Sequence, residues 1–185
     1  MKVVPKSTHP FWASLEDGAR QVSSVTLREV TEADLEMLRT HRNRDDTRCW
    51  LGSAAVISEE MQRAWWTNGG ANTMRIATSL GEDIGLARVD LVGEQACVGS
   101  DVFAKYRGRG LGHRVFDAAC RYASDREAKM LWLQVFIENT AAVRIYLRAG
   151  FHFHPGHYVT EIPREIPGYS YRVNLHYAHM RRLLT

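Results

Sequence analysis

The chain has 185 residues, 45% of them apolar and 24% charged, with a formal net charge of +3. This is ordinary globular composition, enough for one sizeable core and marginal for two. It excludes a membrane-spanning helix, since no stretch of about 18 apolar residues exists, and without a long basic run it gives no reason to expect nucleic acid.

In chain order, residues 1–24 show no period and are broken by Pro5 and Pro10, which predicts an N-terminal extension followed by a single domain over 25–185. "SVTLREV" alternates as a strand. "TEADLEMLRTHRN" opens with Thr31 and Asp34 in capping-box spacing and sets Leu35 and Leu38 on one helical face. "RDDTRCWLGSAAVI" is irregular. Ser58 can cap a helix in which Met61, Ala64 and Trp65 form a stripe. Three short strands follow, "TMRIATSL", "DIGLARVDLV" and "ACVGSDVF", divided by "GED" and "GEQ" turns. After a glycine-rich turn comes a helix with the stripe Leu111, Val115, Ala118, Ala119 and Tyr122. "MLWLQVFI" reads as a strand covered on both faces. Asn139 can cap a last helix that Gly150 ends, and the tail "YSYRVNLHYAHM" alternates again. The order β-α-α-β-β-β-α-β-α-β-β implies an α/β fold. Cys49, Cys97 and Cys120 are scattered and odd in number, which suits a reduced, cytoplasmic protein better than a disulfide scaffold. The first residues are too short in their apolar part for a secretory signal.

The turn "YRGRGLGHRVFDAA" stands directly before a helix. Helix N-termini offer unpaired N–H groups and a positive dipole end, glycine lets the backbone approach a ligand, and arginines add charge, so the turn suits an anion, above all phosphate. A tight strand-to-helix turn with glycines serving only the backbone is the plain alternative. A P-loop is excluded because no Lys-Ser or Lys-Thr follows the glycines. A dinucleotide turn lacks its third glycine, where His113 stands, and remains the weaker rival. A third pattern, [RQ]-x-x-G-x-[GA], is met by Arg107, Gly110 and Gly112. The next strand leads into N-x-x-A-x-x-x-Y-x-x-x-G-F, met by Asn139, Ala142, Tyr146, Gly150 and Phe151.

With both halves present in β-α-β-α order, the chain resembles the GNAT superfamily of N-acetyltransferases over roughly Val25 to Met180, its sharpest motifs lying in Asp101–Phe151. The resemblance implies a mixed, mostly antiparallel central sheet flanked by helices and splayed at the strand before the glycine turn. It implies acetyl-CoA as co-substrate and direct attack by an amine in a ternary complex. The cofactor site would comprise Asp101, Val102, Arg107, Gly108, Arg109, Gly110, Leu111, Gly112, His113, Asn139 and Arg148. Backbone groups of Ser100, Asp101 and Val102 would hold the pantetheine arm, and the Val102 amide would polarise the thioester carbonyl. Asn139 would bond the arm and Tyr146 would protonate the leaving sulfur, these two being the catalytic residues. For Tyr146 the plain alternative is a core aromatic on the helix face.

Some family members carry an acid or a histidine on the strand before the turn that draws off the amine's proton, but the corresponding positions here are Ala96 and Val98, so the sequence departs from that version. Asp90, Glu138 and Glu161 remain candidate bases. His152, His154 and His157 invite a zinc reading, but no cysteine accompanies them and the spacing is irregular, so no metal is expected. Trp65 and Trp66 read as core plus rim, with one of them able to face an acceptor pocket, and Arg39, Arg42 and Arg44 as a solvated face. The front half, "LREVTEADLEMLRTHRN" followed by "ISEEMQRAWW", is similar to the branch with ribosomal-protein N-terminal and amino-sugar-nucleotide acetyltransferases. The expected acceptor is therefore a small-molecule amine, an amino-sugar nucleotide first, with a protein N-terminus or an antibiotic amine as the runner-up. A non-catalytic acyl-CoA sensor is the alternative of another class. No nucleic acid or membrane partner is expected, and a homodimer is compatible with the reading.

Overall fold

A computed structural model of the chain describes residues 24–154, 160–167 and 173–184. The expected extension over residues 1–24, apart from Ser24, lies outside the described residues, as do His157 and the start of the tail strand. The strands are β1 (Thr26–Glu29), β2 (Met74–Ser79), β3 (Glu82–Val92), β4 (Gln95–Val102), β5 (Met130–Phe136), β6 (His152–Phe153), β7 (Thr160–Arg164) and β8 (Val173–Leu183). They form one eight-stranded sheet in the order β1-β2-β3-β4-β5-β8-β6, with β7 also paired to β8. Every pairing is antiparallel except β4 with β5.

The helices are α1 (Leu35–Asn43), α2 (Asp45–Arg48), α3 (Glu59–Thr67), α4 (Gly112–Ser124) and α5 (Thr140–Arg148). Helix α1 is entered as its sequence requires. The backbone N–H and the hydroxyl of Thr31 both donate to Asp34 Oδ2 at 2.8 Å, and Arg28 grips the same carboxylate at 2.8 and 2.7 Å. Ser58 caps α3 by accepting from the Met61 N–H at 3.1 Å. The expected stripe on α3 is corrected: Met61 is 53% exposed and Ala64 is exposed, whereas Gln62 is buried and Trp65 and Trp66 pack on Val30, Leu38 and Ile76. The two tryptophans carry more apolar area than the methionine and take the inner face.

Helix α4 buries a broader face than the stripe, adding Phe116, Cys120 and Ala123 to Val115, Ala118 and Ala119. Phe116 meets Tyr146 of α5 at a ring distance of 4.6 Å and Phe151 at 5.4 Å. Together α4 and α5 cover β3, β4 and β5 in the largest core cluster, and α1 and α3 close the other side over β2. Two elements escaped the sequence pattern. Helix α2 has four residues, too few to show a period, and β6 has two.

Candidate active site

The parallel pairing of β4 with β5 runs only through Gln95–Met130, Ala96–Leu131 and Cys97–Trp132. Beyond it β4 stays paired with β3 up to Val102–Gly85, and β5 with β8 up to Phe136–Tyr177. The two strands therefore part after Cys97 and leave a wedge. A cleft of about 970 Å³ occupies it and continues beneath α1 and α3, within the size range of small-molecule sites. Its lining includes Val98 to Val102, the glycine turn, Asn139 and Tyr146.

At one end lies the turn. Gly108 and Gly110 hold φ of +75° and +71°, a region that favours glycine, with open space beside both. Among the described residues the backbone amides from Gly108 through His113 donate no hydrogen bond. Successive free amides at the start of the 13-residue α4 make an anion nest, so this end fits a pyrophosphate. Gly112 serves a different need. It lies in the helix, and a β-carbon there would stand 2.8 Å from Ile145 Cδ1, so its absence lets α4 and α5 approach.

Among the expected cofactor residues, Asp101, Val102, Arg107, Gly108, Gly110, Leu111, Gly112 and Asn139 line the cleft; Arg109, His113 and Arg148 do not. Arg109 lies over the Tyr106 ring, and Arg148 is exposed in the last turn of α5. Arg107 lines the cleft but its guanidinium is engaged elsewhere. It donates to Val102 O at 2.9 Å and Thr47 Oγ1 at 2.8 Å, and reaches Asp46 at 3.3 Å and Asp101 at 3.4 Å. The Val102 N–H faces the wedge and donates to Asp101 Oδ1 at 2.8 Å, so it can meet another acceptor only when that carboxylate releases it.

Asn139 caps α5 through its Oδ1, which accepts from the Ala142 N–H at 3.2 Å. Tyr146 follows two helical turns later, lines the same cleft and is only 8% exposed. Burial, and next the negative charge of Asp101, push its phenol well above the ordinary value, so at neutral pH it is a proton donor.

The acids considered as bases lie elsewhere. Glu138 accepts from His176 Nδ1 and from the His176 N–H. Burial alone would raise the Glu138 carboxyl, but the His176 bonds outweigh it and hold it below the usual range. His176, raised chiefly by Glu138, also lies 3.6 Å from Glu161. Asp90 pairs with Arg88 at 3.5 Å. None of the three lines the cleft; among the described residues its carboxylates are Asp46 and Asp101. The group that sequence reasoning missed is His41 of α1. It is 6% exposed, lines the cleft and bonds Asp101 Oδ2 through Nε2 at 2.7 Å. Its only sequence signal is its place in "HRN".

Arg42, expected on a solvated face, is instead half-buried, donates to Ser53 O and lines the cleft. Trp65 faces the cleft, as one of the two tryptophans was expected to. Among the described residues no cluster of three or more His, Cys, Asp or Glu could hold a metal ion, and no helix is long and apolar enough to cross a membrane.

Residues 24–152 match the sequence model of the acetyltransferase (GNAT) domain. No curated protein sequence matches the chain. Among solved structures, the spermidine N-acetyltransferase of Vibrio cholerae, in complex with CoA and spermine, is 21% identical with a TM-score of 0.70, over 87% of this chain and 96% of that one. The ribosomal-protein-alanine N-acetyltransferase of Brucella melitensis is 19% identical with a TM-score of 0.64, over 85% and 99%. An acetyltransferase of Salmonella typhimurium solved with its cofactor acetyl-CoA is 16% identical with a TM-score of 0.65, over 88% and 95%.

Proposed function

Because the chain belongs to the GNAT acetyltransferase family, whose co-substrate is acetyl-CoA, we propose that it acetylates the primary amine of a small molecule, with an amino-sugar nucleotide as the leading acceptor. The observation that carries this is that Gly108, Gly110, Leu111 and Gly112, whose amides donate no hydrogen bond among the described residues, line one wedge with the protonated phenol of Tyr146. Acetyl-CoA supplies an acetyl group activated as a thioester. The turn amides bind its pyrophosphate, assisted by the dipole of α4. Asn139, whose amide nitrogen donates to nothing among the described residues, aligns the arm. The Val102 N–H, once freed from Asp101, faces the carbonyl oxygen as charge develops there. Tyr146 gives its proton to the departing sulfur.

The acceptor half of the cleft supports a compact amine over a polyamine. A polycation is held by free carboxylates, and the two in the cleft among the described residues are committed, Asp46 to Arg44 and Arg107, Asp101 to His41 and Arg107. Trp50, Met61 and Trp65, with Arg42 and Arg88, line the remainder, a surface suited to a ring bearing polar or anionic groups. The likeness of the front half to the amino-sugar-nucleotide branch points the same way. A panel of acceptors assayed for free thiol release tests the reading. It should include a UDP-linked amino sugar, phosphinothricin, a peptide with N-terminal alanine, and spermidine. The sugar nucleotide should turn over fastest and spermidine least. Tight acetyl-CoA binding with no turnover of any amine would instead favour a sensor.

A further inference from the structure

Resting on that reading, we propose that His41 is the proton acceptor for the attacking amine, and that Asp101 holds it in the tautomer this requires. The amine is an ammonium ion near neutral pH and cannot attack until it loses a proton. The strand positions that could supply a base are Ala96 and Val98, both fully packed in the core, and Asp90, Glu138 and Glu161 lie outside the cleft. Among the described residues the cleft offers one imidazole, brought to β4 by a helix 60 residues earlier in the chain.

The hydrogen bonds fix the chemistry of that ring. Asp101 accepts from the Val102 N–H at Oδ1 and lies 3.4 Å from the Arg107 guanidinium. An ionised carboxylate only accepts, so the 2.7 Å contact at Oδ2 requires the proton on His41 Nε2. The lone pair is then on Nδ1. Nδ1 has no hydrogen bond among the described residues, yet it is absent from the buried polar atoms lacking a partner, which are Arg42 Nη1, Arg164 Nε and Arg181 Nε. It is therefore in reach of solvent, in a ring that is otherwise enclosed and meets the Phe103 ring edge-on at 4.9 Å. The charged groups around the pair are Asp101 on β4, Arg107 beyond it, Asp46 on α2 and Arg42 next along α1. Asp101 also precedes the amide assigned to the carbonyl, which places the pair beside the reacting centre. Tyr146 enters the wedge from α5, and Asp101 acts on its phenol.

The step balances. The ammonium gives a proton to His41 Nδ1, and the freed lone pair forms the N–C bond as the C–S bond breaks. Of the protons on the ammonium nitrogen, one stays on the amide, one reaches the sulfur by way of Tyr146, and one leaves to solvent by way of His41.

The test uses His41→Gln, which can still donate to Asp101 but offers no imidazole, and Asp101→Asn, with the panel amine that the wild type turns over fastest. At pH 7 the expected loss in kcat for His41→Gln is about 100-fold, while the KM for acetyl-CoA stays within about 3-fold, because the proton transfer is absent from cofactor binding. The deficit should shrink as pH rises toward the acceptor's own pKa, where the amine sheds its proton unaided. A bond that merely ties α1 to β4 predicts a loss equal at every pH, and that result, or a His41→Gln enzyme with wild-type rates, overturns the proposal. A second measurement needs no variant and no turnover: long-range ¹H–¹⁵N NMR of the histidine-labelled wild type should show His41 protonated at Nε2 and bare at Nδ1. Protonation at Nδ1 alone overturns the proposal equally. A wild type silent toward every amine refutes the acetyltransferase reading beneath it, which separates the two failures.

Discussion

Tyr146 owes its value as an acid to burial, which withholds the solvent a phenolate would need, and to the charge of Asp101. Both keep the phenol protonated well past neutrality, so no alkaline loss of activity near pH 8 or 9 should trace to it. Tyr146→Phe retains the ring contacts with Phe116 and Phe151 and loses only the hydroxyl. We expect kcat to fall by about 10-fold or more with acetyl-CoA affinity within about 3-fold, measured by steady-state kinetics and calorimetry. Wild-type turnover in this variant would reduce Tyr146 to a core aromatic. That Asn139 and Tyr146 share the cleft was legible from the N-x-x-A-x-x-x-Y pattern that carries the family resemblance, whose seven-residue spacing is two helical turns. The glycine turn was legible because φ near +70° demands glycine. Arg107 was legible as a charge but its use was not: nothing local announces that its guanidinium turns back to Thr47 and Asp46. His41 was illegible as a site residue because its partner is set by how α1 lies on β4.

Among elements, the junction of β1 with α1 concentrates the most charge-assisted bonding. Asp34 accepts from Arg28 twice and from Thr31 twice, and Arg28 also bonds Asp83. The Arg28 guanidinium holds the Asp34 carboxyl well below the usual carboxylate range. A carboxyl with a depressed folded pKa contributes stability above its unfolded value and loses it as pH falls toward the folded one. Arg28 is itself 35% exposed, so solvent weakens the pair. Asp34→Ala should cost ~2 kcal/mol near neutrality, between an exposed and a buried pair. By urea unfolding, the gap between wild type and variant should narrow below about pH 4, where the unfolded carboxyl protonates; a gap that is constant down to pH 2 would refute the account. This capping box was legible because it is local. The inner face of α3 was not, since Met61 and Gln62 exchange places only when Trp65 and Trp66 find Ile76 and Val30 across the sheet. Propensity and period are weak guides wherever a neighbouring element chooses the face.

At the scale of the whole molecule, composition set the class and the alternation of strands and helices set the mixed sheet. The seating of the last strands was not legible: β8, late in the chain, inserts between β5 and the short β6, and also carries β7 along the same edge as β6. Sequence order does not encode such an insertion, because the pairing is long-range and the connecting segments carry no periodic signal. The cleft exists at the meeting of two sets of strands, and so do its residues. Among the described residues that line it, the Tyr146 phenol comes from α5, Gly108 and Gly110 from the turn before α4, and the His41 imidazole from α1.

The short seam between β4 and β5 bears on how the chain folds. Strands β1 to β4 draw on residues 26–102 and β5 to β8 on residues 130–183, and the sheet joins the two sets through three residue pairs alone. Strands β2, β3 and β4 pair between sequence neighbours, which nucleate early, whereas the seam must wait until the segment carrying α4 has closed back on the sheet. We expect the β2–β4 meander to form before the seam closes. In pulse-labelled exchange during refolding, amides of β2 and β3 would gain protection before Leu131 and Trp132 in the seam; simultaneous protection would show instead a single concerted collapse. The same late joint that makes room for a substrate would then set the pace at which the enzyme assembles.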